Sequence, residues 1–245
     1  MRKIAISDIH GCVRTFRYLV EEQLQLGKKD TLYLLGDYVD RGPDSKGVLD
    51  YMMQLSEAGY QLQCIKGNHE DMMVNAGRGE NEGELEIWLN NGGKDTLQSF
   101  NLTDAHHLPE KYLKYIDEMP CYLEVDRYIL VHAGLDFTGN GTETKDEEAF
   151  LWKLHNPLHD ERAMLWIRWW YDDINWHWLR DRIVVHGHTP LQSDEITEML
   201  DALKEDQVLD IDNGCFAKHK SGMGRLCAFD LDRRELFFQE NIDMA

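Results

Sequence analysis

Seven side chains that can bind a metal ion follow short apolar runs of this 245-residue sequence. They combine carboxylate and amide oxygens with imidazole nitrogens and include no thiolate, a set that suits divalent ions such as Mn²⁺, Fe²⁺ or Zn²⁺. There are enough of them for two ions, and two metal ions ~3.5–4 Å apart are a known device for displacement at phosphorus. The seven residues are Asp8, His10, Asp37, Asn68, His69, His132 and His188.

Each of these polar clusters follows an apolar run of a length and composition typical of a buried strand. Amphipathic helices are predicted between the early runs, over residues 13–25 and 46–58. Alternation of strands and helices favours an α/β fold, in which ligands collect at the carboxyl ends of the strands. The predicted strands are residues 3–7, 31–35, 61–65, 128–131 and 183–185.

The remaining segments contain no linker, so we predict a single domain over residues 1–245. Residues of about 72–120 are predicted to be mostly helical, and residues 136–162 to form a surface insertion near the site. Three closely spaced strand-like runs after residue 205 predict an added antiparallel sheet. These runs are residues 208–211, 226–231 and 235–239.

The composition restricts the partners that this chain can bind. Its formal net charge of −19 disfavours nucleic-acid backbones and anionic lipid surfaces. No apolar stretch approaches the ~20 residues needed to cross a bilayer. Five cysteines without framework spacing are typical of reduced thiols, and no signal peptide is visible at Met1. We therefore expect a cytoplasmic protein that binds neither nucleic acid nor membrane.

Five stretches together resemble the phosphoprotein phosphatase (serine/threonine protein phosphatase-like) branch of the calcineurin-like metallophosphoesterase superfamily. The second is the most specific, and the first departs from the family only in having Ser7 where glycine is usual, which changes no ligand. The resemblance implies an α/β fold of the metallophosphoesterase type: a four-layer sandwich with two central mixed β-sheets flanked by helices. The stretches are Ser7-Asp8-Ile9-His10-Gly11, Gly36-Asp37-Tyr38-Val39-Asp40-Arg41-Gly42, Gly67-Asn68-His69-Glu70, Val131-His132-Ala133-Gly134 and Gly187-His188-Thr189.

The resemblance also implies how two divalent ions would be held, with Mn²⁺ as the expected metal and iron or zinc as alternatives. Asp8 and His10 would hold the first ion, and Asp37 would bridge both. A metal-bridging hydroxide would then attack phosphorus in line. The remaining ligands of the second ion would be Asn68, His132 and His188.

Four further residues match groups of the family that act on the phosphate. His69 matches the general acid that protonates the leaving oxygen, and Asp40 matches the carboxylate that pairs with it. Arg41 and Arg168 match phosphate-binding arginines, whose guanidinium forks suit two phosphate oxygens.

His186 lies two residues before His188 and needs a separate interpretation. The family takes its ligand from a Gly-His pair, which here contains His188. We therefore predict that His186 is a hydrogen-bonded residue at the end of a strand.

Five of the seven tryptophans fall between Trp166 and Trp178. The spacing of Trp166, Trp169 and Trp170 favours one helix that packs into the core. The alternative is an aromatic wall beside the site, which could stack on a nucleobase or grip a phosphotyrosine or a peptide.

These observations leave three functions to compare. The first is hydrolysis of phosphate monoesters, with phosphoserine or phosphothreonine on protein as the expected substrate, or another small phosphate ester. The second is hydrolysis of dinucleoside polyphosphates on the same scaffold. The third is a metal-stabilised binding module without activity, which the intact set of ligands, acid and arginines disfavours.

Overall fold

A computed structural model of the chain describes residues 1–79, 82–139 and 156–244. Within these residues, no helix combines the length and the apolar character needed to cross a membrane. The described residues form two β-sheets with helices on the outer faces.

The first sheet has five strands in the order β3-β2-β1-β8-β9. β1, β2 and β3 are parallel, whereas β8 and β9 run antiparallel to their neighbours. Ile6 lies opposite Leu34, and Leu34 lies opposite Cys64, so the three parallel strands end level with one another. The loops that follow them therefore emerge side by side. The strands are β1 Lys3–Ile6, β2 Thr31–Leu34, β3 Gln61–Cys64, β8 Arg225–Asp230 and β9 Glu235–Glu240.

The second sheet has four strands in the order β4-β5-β6-β7. β4 and β5 form an antiparallel hairpin, whereas β5, β6 and β7 are parallel. The ends of β5 and β6 bring the chain to His132 and His188, at the same end of the molecule as the loops of the first sheet. The strands are β4 Tyr122–Val125, β5 Tyr128–Val131, β6 Ile183–His186 and β7 Val208–Asp210.

Helices cover both outer faces, and the apolar residues form three clusters that separate four layers. One cluster lies between the first sheet and its helices, a second lies between the two sheets, and a third lies outside the second sheet. Ile6, Ala5 and Ile129 are representative members of the three clusters, in that order. The α-helices are α1 Val13–Tyr18, α2 Ser45–Glu57, α3 Asn68–Arg78, α4 Glu82–Trp88, α5 Lys94–Ser99, α6 Glu110–Asp117, α7 Glu161–Trp166, α8 Trp176–Leu179, α9 Ser193–Asp201 and α10 Leu203–Asp206.

This architecture confirms the predicted α/β sandwich of two mixed sheets flanked by helices. The first predicted helix is divided into α1 and a π-helical turn, Leu19–Gln23. The region predicted to be helical contains α3 to α6 together with a second π-helical turn, Leu89–Gly93.

The predicted C-terminal antiparallel pairing is confirmed for β8 and β9 but is wrong for β7, and the three strands do not form a sheet of their own. The three strands exist, but β7 joins the second sheet in parallel, while β8 and β9 extend the first sheet beside β1. The reason is burial: β8 is almost entirely buried, so both of its faces must be covered by the layers of the sandwich. Most of the predicted insertion, residues 140–155, lies outside the described residues.

Candidate metal centre

The predicted ligands lie in tight loops at the carboxyl ends of the strands. Several of these residues have a left-handed backbone, which is uncommon for residues other than glycine and is concentrated at functional sites. The close approach of the loops explains part of this geometry, because a Cβ added to Gly42 would lie 1.9 Å from the carbonyl oxygen of His10. The site residues with positive φ are Asp8, His10, Asp37, Asp40, Arg41 and His188.

Asp37 lies between two groups of imidazole rings. Its Oδ1 is 3.3 Å from Nε2 of His132, while its Oδ2 is 3.4 Å from Nε2 of His10 and 3.8 Å from Nε2 of His69. The two oxygens of one carboxylate thus face two different clusters of ligand atoms. This is the arrangement that a carboxylate bridging two ions requires.

The first side of the carboxylate faces a cluster of lone pairs. His132 donates from Nδ1 to the carbonyl oxygen of Leu35, which leaves Nε2 of the neutral ring without a proton. That nitrogen lies 2.9 Å from Oδ1 of Asn68 and 3.2 Å from Nδ1 of His188. Nδ1 of His188 is also 3.1 Å from the amide oxygen of Asn68. Three groups with lone pairs therefore converge on Asp37 Oδ1, and a cation between the four atoms would remove their mutual repulsion.

The second side of the carboxylate is built in the same way. His10 donates from Nδ1 to the carbonyl oxygen of Val39, so its Nε2 carries the lone pair. Nε2 accepts a hydrogen bond from Nη1 of Arg41 at 2.9 Å. The guanidinium therefore lies at the position from which a metal ion would be bound, and metal binding at His10 requires it to turn away.

Asp8 lies at the edge of this site rather than in either cluster. Its carboxylate accepts hydrogen bonds from the Ser7 hydroxyl and, at 3.1 Å, from the backbone N–H of His188. Burial raises its pKa well above the usual value, and the neighbouring carboxylate of Asp212 raises it further. The structure thus brings Asp8 next to the other predicted ligands, but the Ser7 hydroxyl and the backbone N–H of His188, rather than the side chains of those ligands, fix the Asp8 side chain.

The protonation states of these groups suit cation binding. Burial lowers the pKa of His132 to about 3 and also lowers the pKa of His10 and His188, so the rings are neutral at physiological pH. Burial raises the pKa of Asp37 well above its usual value, and the neighbouring carboxylates of Asp8 and Glu70 raise it further. Neutral imidazoles around a buried carboxylate fit one or two divalent ions.

His69 and Asp40 form a buried pair beside Asp37. The ring donates from Nδ1 to Oδ2 of Asp40 at 2.7 Å, which leaves Nε2 facing the centre of the site. Burial raises the pKa of Asp40 to about 8, and hydrogen bonds from Thr96 and Trp88 act in the opposite direction. This geometry is what the predicted acid and its carboxylate partner need.

The two predicted phosphate arginines lie on different sides of the site. Arg41 is half-buried, contacts His10 and has its guanidinium carbon 4.5 Å above the ring of Phe216. Arg168 is exposed and donates from Nη1 to the hydroxyl of Thr189 at 2.8 Å. One guanidinium thus stands beside each cluster of ligand atoms.

Several residues that support the site gave no signal in the sequence analysis. Trp88 and Thr96 contact Asp40 from 48 and 56 residues away. Asp212 and Phe216 follow β7 and belong to no recognised stretch. Only Glu70 was signalled: it ends the third quoted stretch, and its carboxylate accepts three backbone N–H groups of the loop from Asp37 to Val39. The others are joined to the site only by the tertiary fold.

The predicted core helix through Trp166, Trp169 and Trp170 is wrong. Helix α7 ends at Trp166, Ile167 is extended, and Trp169 has a φ of 60° with 81% of its surface exposed. Trp170 alone of these three indoles is buried, where it donates to the carbonyl oxygen of Ala133. The alternative, aromatic side chains beside the site, agrees with the structure, since Trp166 is 40% exposed and edge-on to the ring of His188.

The interpretation of His186 agrees with the structure. It ends β6, is buried, and interacts with the hydroxyl of Tyr171 at 3.0 Å and with Asp210 at 3.7 Å. It contacts neither cluster of ligand atoms around Asp37.

The fold and this cluster of ligands define a metallophosphoesterase. The model of the family described as "Calcineurin-like phosphoesterase" matches residues 1–213, and the chain belongs to this family, a class of hydrolases. This confirms the superfamily predicted from the sequence, but not the phosphoprotein phosphatase branch.

The sequence relatives of the chain are named as hydrolases of dinucleoside tetraphosphates rather than as protein phosphatases. It is 43% identical over 132 residues to a "Bis(5'-nucleosyl)-tetraphosphatase, symmetrical" of Buchnera aphidicola subsp. Acyrthosiphon pisum, a match that covers 53% of this chain and 43% of the relative. It is 23% identical over 202 residues to "Bis(5'-nucleosyl)-tetraphosphatase PrpE [asymmetrical]" of Anoxybacillus flavithermus, covering 76% and 78%. The chain thus spans less than half the length of the symmetrical relative.

Solved structures share the fold at low identity. A structure described as a "putative diadenosine tetraphosphatase" superposes with a TM-score of 0.59 at 19% identity, covering 97% of this chain and 92% of that one. A Saccharomyces cerevisiae protein serine/threonine phosphatase superposes with a TM-score of 0.65 at 14% identity, covering 100% and 81%. At these identities the superpositions establish the fold alone.

Proposed function

We propose that this protein is a metal-dependent hydrolase of dinucleoside polyphosphates. Family membership supports a phosphoesterase with two divalent ions, and the names of the sequence relatives favour a dinucleotide over the phosphoprotein first predicted. Mn²⁺ remains the expected metal, with iron or zinc as alternatives. The proposal treats residues 1–245 as one catalytic domain.

The proposed ligands are the six predicted from the sequence. Asp37 would be shared by both ions, since its two oxygens face different clusters. Bound divalent ions would supply Lewis-acid stabilisation of the phosphoryl group and lower the pKa of water to roughly 7. Asp8 and His10 would complete one site. The other site would be completed by Asn68, His132 and His188.

The protein's own groups would bind and orient the substrate. Arg41 and Arg168 would each hold phosphate oxygens, one beside each cluster. His69 would protonate the leaving oxygen from Nε2, because its other nitrogen is held by Asp40. In a dinucleoside polyphosphate this oxygen belongs to the departing phosphate chain.

The observation that carries the choice of substrate is the pair of exposed indoles next to Arg168 in the sequence. Trp166 and Trp169 flank this arginine in sequence, and both indoles are exposed. Exposed indoles next to a phosphate-binding arginine offer a stacking surface for a base attached to the same phosphate chain. A Trp at positive φ is strained, which is a reason to assign Trp169 a ligand rather than a packing role.

A panel of substrates with added Mn²⁺ tests this proposal. We expect kcat/KM for diadenosine tetraphosphate to exceed that for a phosphoserine or phosphothreonine peptide by more than about tenfold, because the bases add binding that a peptide lacks. Asp37→Asn is the control for metal-dependent turnover. Preference for the phosphopeptide would overturn the dinucleotide proposal and restore the protein phosphatase prediction. Turnover of neither substrate by wild-type protein loaded with Mn²⁺, Zn²⁺ or Fe²⁺ would overturn both.

A further inference from the structure

The carboxylate of Asp40 is surrounded by hydrogen-bond donors from a distant part of the chain. The indole N–H of Trp88 lies 3.1 Å from Oδ1 and 3.0 Å from Oδ2. The hydroxyl of Thr96 donates to Oδ1 at 2.6 Å, and Nδ1 of His69 donates to Oδ2 at 2.7 Å. Trp88, Thr96 and Asp40 are fully buried, so these bonds do not exchange with bulk water.

The hydrogen bonds around Thr96 have one consistent direction. Its proton goes to Oδ1 of Asp40, so its oxygen accepts from the backbone N–H of Asp40 at 2.9 Å. Ser45 then donates to Thr96 at 2.8 Å and accepts from the same backbone N–H at 2.9 Å. Both the backbone and the side chain of Asp40 are thus tied to Thr96. The carboxylate cannot rotate without breaking at least two of these bonds.

The segment that carries Trp88 is shaped to reach Asp40 and Arg41. Its π-helical turn, Leu89–Gly93, contains Gly92 at a φ of 111°. A Cβ on Gly92 would lie 2.7 Å from the backbone nitrogen of Arg41, and one on Gly93 would lie 2.5 Å from the indole of Trp88. Two adjacent positions without a side chain let the turn close against the loop of Asp40. The arrangement places the indole N–H of Trp88, rather than an apolar ring carbon, against the carboxylate of Asp40.

Filling of the core alone does not account for these contacts. A phenylalanine could occupy most of the volume of Trp88, and a valine the volume of Thr96, without donating to Asp40. Without these two donors, burial of the Asp40 carboxylate would destabilise the fold, and the carboxylate would be free to turn away from His69. The donors instead direct Oδ2 at Nδ1 of His69, which sets the direction of Nε2 towards Asp37.

We infer that Trp88 and Thr96 are positioning residues that hold the Asp40 carboxylate so that His69 presents Nε2 to the leaving oxygen. The inference rests on the role of His69 in the proposed function. It adds residues from helices α4 and α5 to a site otherwise built from strand-end loops. The loss of either donor should impair proton delivery to a strongly basic leaving group and spare a weakly basic one.

The test compares Trp88→Phe and Thr96→Val on two aryl phosphates with Mn²⁺ present. Phenyl phosphate has a strongly basic leaving group and needs an acid, whereas 2,4-dinitrophenyl phosphate does not. General acids contribute ~10²–10⁴-fold, and we expect each variant to lose about tenfold on phenyl phosphate, with less than about twofold lost on the dinitrophenyl ester. His69→Asn should show the same selectivity with a larger loss.

Matched controls separate positioning from stability. Thr15 is another buried threonine that donates to a carboxylate, Asp243 at 2.6 Å, and accepts a backbone N–H. Trp170 is another buried indole whose N–H is donated, here to a carbonyl oxygen. Thr15→Val and Trp170→Phe should change turnover of the two esters by equal factors, whatever they do to thermal stability.

A spectroscopic readout does not depend on activity. In metal-free, nitrogen-labelled protein, the indole N–H resonance of Trp88 is identified by its disappearance in Trp88→Phe. We expect Asp40→Ala to shift this resonance upfield, because both acceptor oxygens of the indole N–H are lost. An unshifted resonance would overturn the inferred contact.

The outcomes distinguish the inference from the proposed function. If His69→Asn lacks leaving-group selectivity, the proposed acid role fails and the inference fails with it. If His69→Asn is selective while both Trp88→Phe and Thr96→Val reduce the two esters equally, only the inference is overturned. Selectivity in all three variants supports both.

Discussion

The two walls of the site differ in how firmly their side chains are held. On one wall, Trp88 and Thr96 hold the buried carboxylate of Asp40 from behind, and the neighbouring Arg41 is half-buried. On the other wall, Arg168 is exposed and is held by one hydrogen bond to Thr189. Rigid, desolvated groups stabilise developing charge, whereas exposed groups contact substrates of different shape. Under the proposed function, we expect the buried wall to act in bond cleavage and the exposed wall to act in the choice of substrate.

The largest expected effect is on the buried wall. His69→Asn should reduce turnover of phenyl phosphate ~10²–10⁴-fold, the usual contribution of a general acid, while leaving metal binding intact. Turnover and bound Mn²⁺ are measured on the same samples. His106→Asn, at an exposed histidine, is the control. Unchanged turnover in His69→Asn would remove this residue from the mechanism and the buried wall from bond cleavage.

The two arginines provide a direct comparison of the walls. Arg41→Ala should lower kcat on phenyl phosphate by ~10–100-fold, because a charged hydrogen bond contributes ~1.5–3 kcal/mol. Arg168→Ala should mainly raise KM, since its side chain is exposed and less firmly oriented. Steady-state kinetics of both variants, with Arg162→Ala as an exposed control, measures the difference. Equal effects on kcat would contradict the distinction between the walls.

Substitutions on the exposed wall should change the binding of a particular substrate rather than the rate of bond cleavage. Trp166→Ala should raise KM for diadenosine tetraphosphate ~5–100-fold, because stacking contributes ~1–3 kcal/mol per base. The same variant should turn over phenyl phosphate like wild type, since that ester has no base to stack. Tyr18→Ala removes an exposed aromatic ring from α1 and serves as the control. A loss on phenyl phosphate as large as on the dinucleotide would show that Trp166 supports the site itself.

The smallest effect is on stability and concerns the buried carboxylate of Asp212, which interacts electrostatically with both Arg41 and Arg168. Burial raises the pKa of Asp212 to about 6, above its ordinary value of 3.8, so the folded metal-free protein binds more protons than the unfolded chain between these values. Stability contributed by this group is therefore lost as the pH rises from about 4 to 6. Asp212→Asn should raise the melting temperature of metal-free protein by several degrees at pH 7 and by little at pH 4. Thermal melts at both values check this, and an equal shift at both would contradict it.

The sequence was most informative where a short segment contains both the strand and the residue it positions. Asp37 and His132 could be placed because each directly follows a buried apolar run. The sequence was least informative for residues that act across the fold. No local pattern indicates that Trp88 contacts Asp40 or that Asp212 lies near Asp8, because both depend on how helices and loops pack.

The tryptophan segment shows the same limit in secondary structure. A helical spacing of Trp166, Trp169 and Trp170 predicted a helix, yet the chain becomes extended at Ile167. This conformation allows Trp170 to be buried while Arg168 reaches Thr189. Tertiary contacts outweighed a local preference that contributes little by itself.

The sequence by itself determined the class of fold, the strand ends and the candidate ligands that follow them, because strand periodicity and side-chain chemistry are local properties. Only the tertiary structure decided that the two oxygens of Asp37 face separate clusters. It also decided that Arg41 lies half-buried against the ring of Phe216, whereas Arg168 is exposed and bonded to Thr189. These properties depend on distances between segments far apart in the chain, and no local pattern encodes such distances.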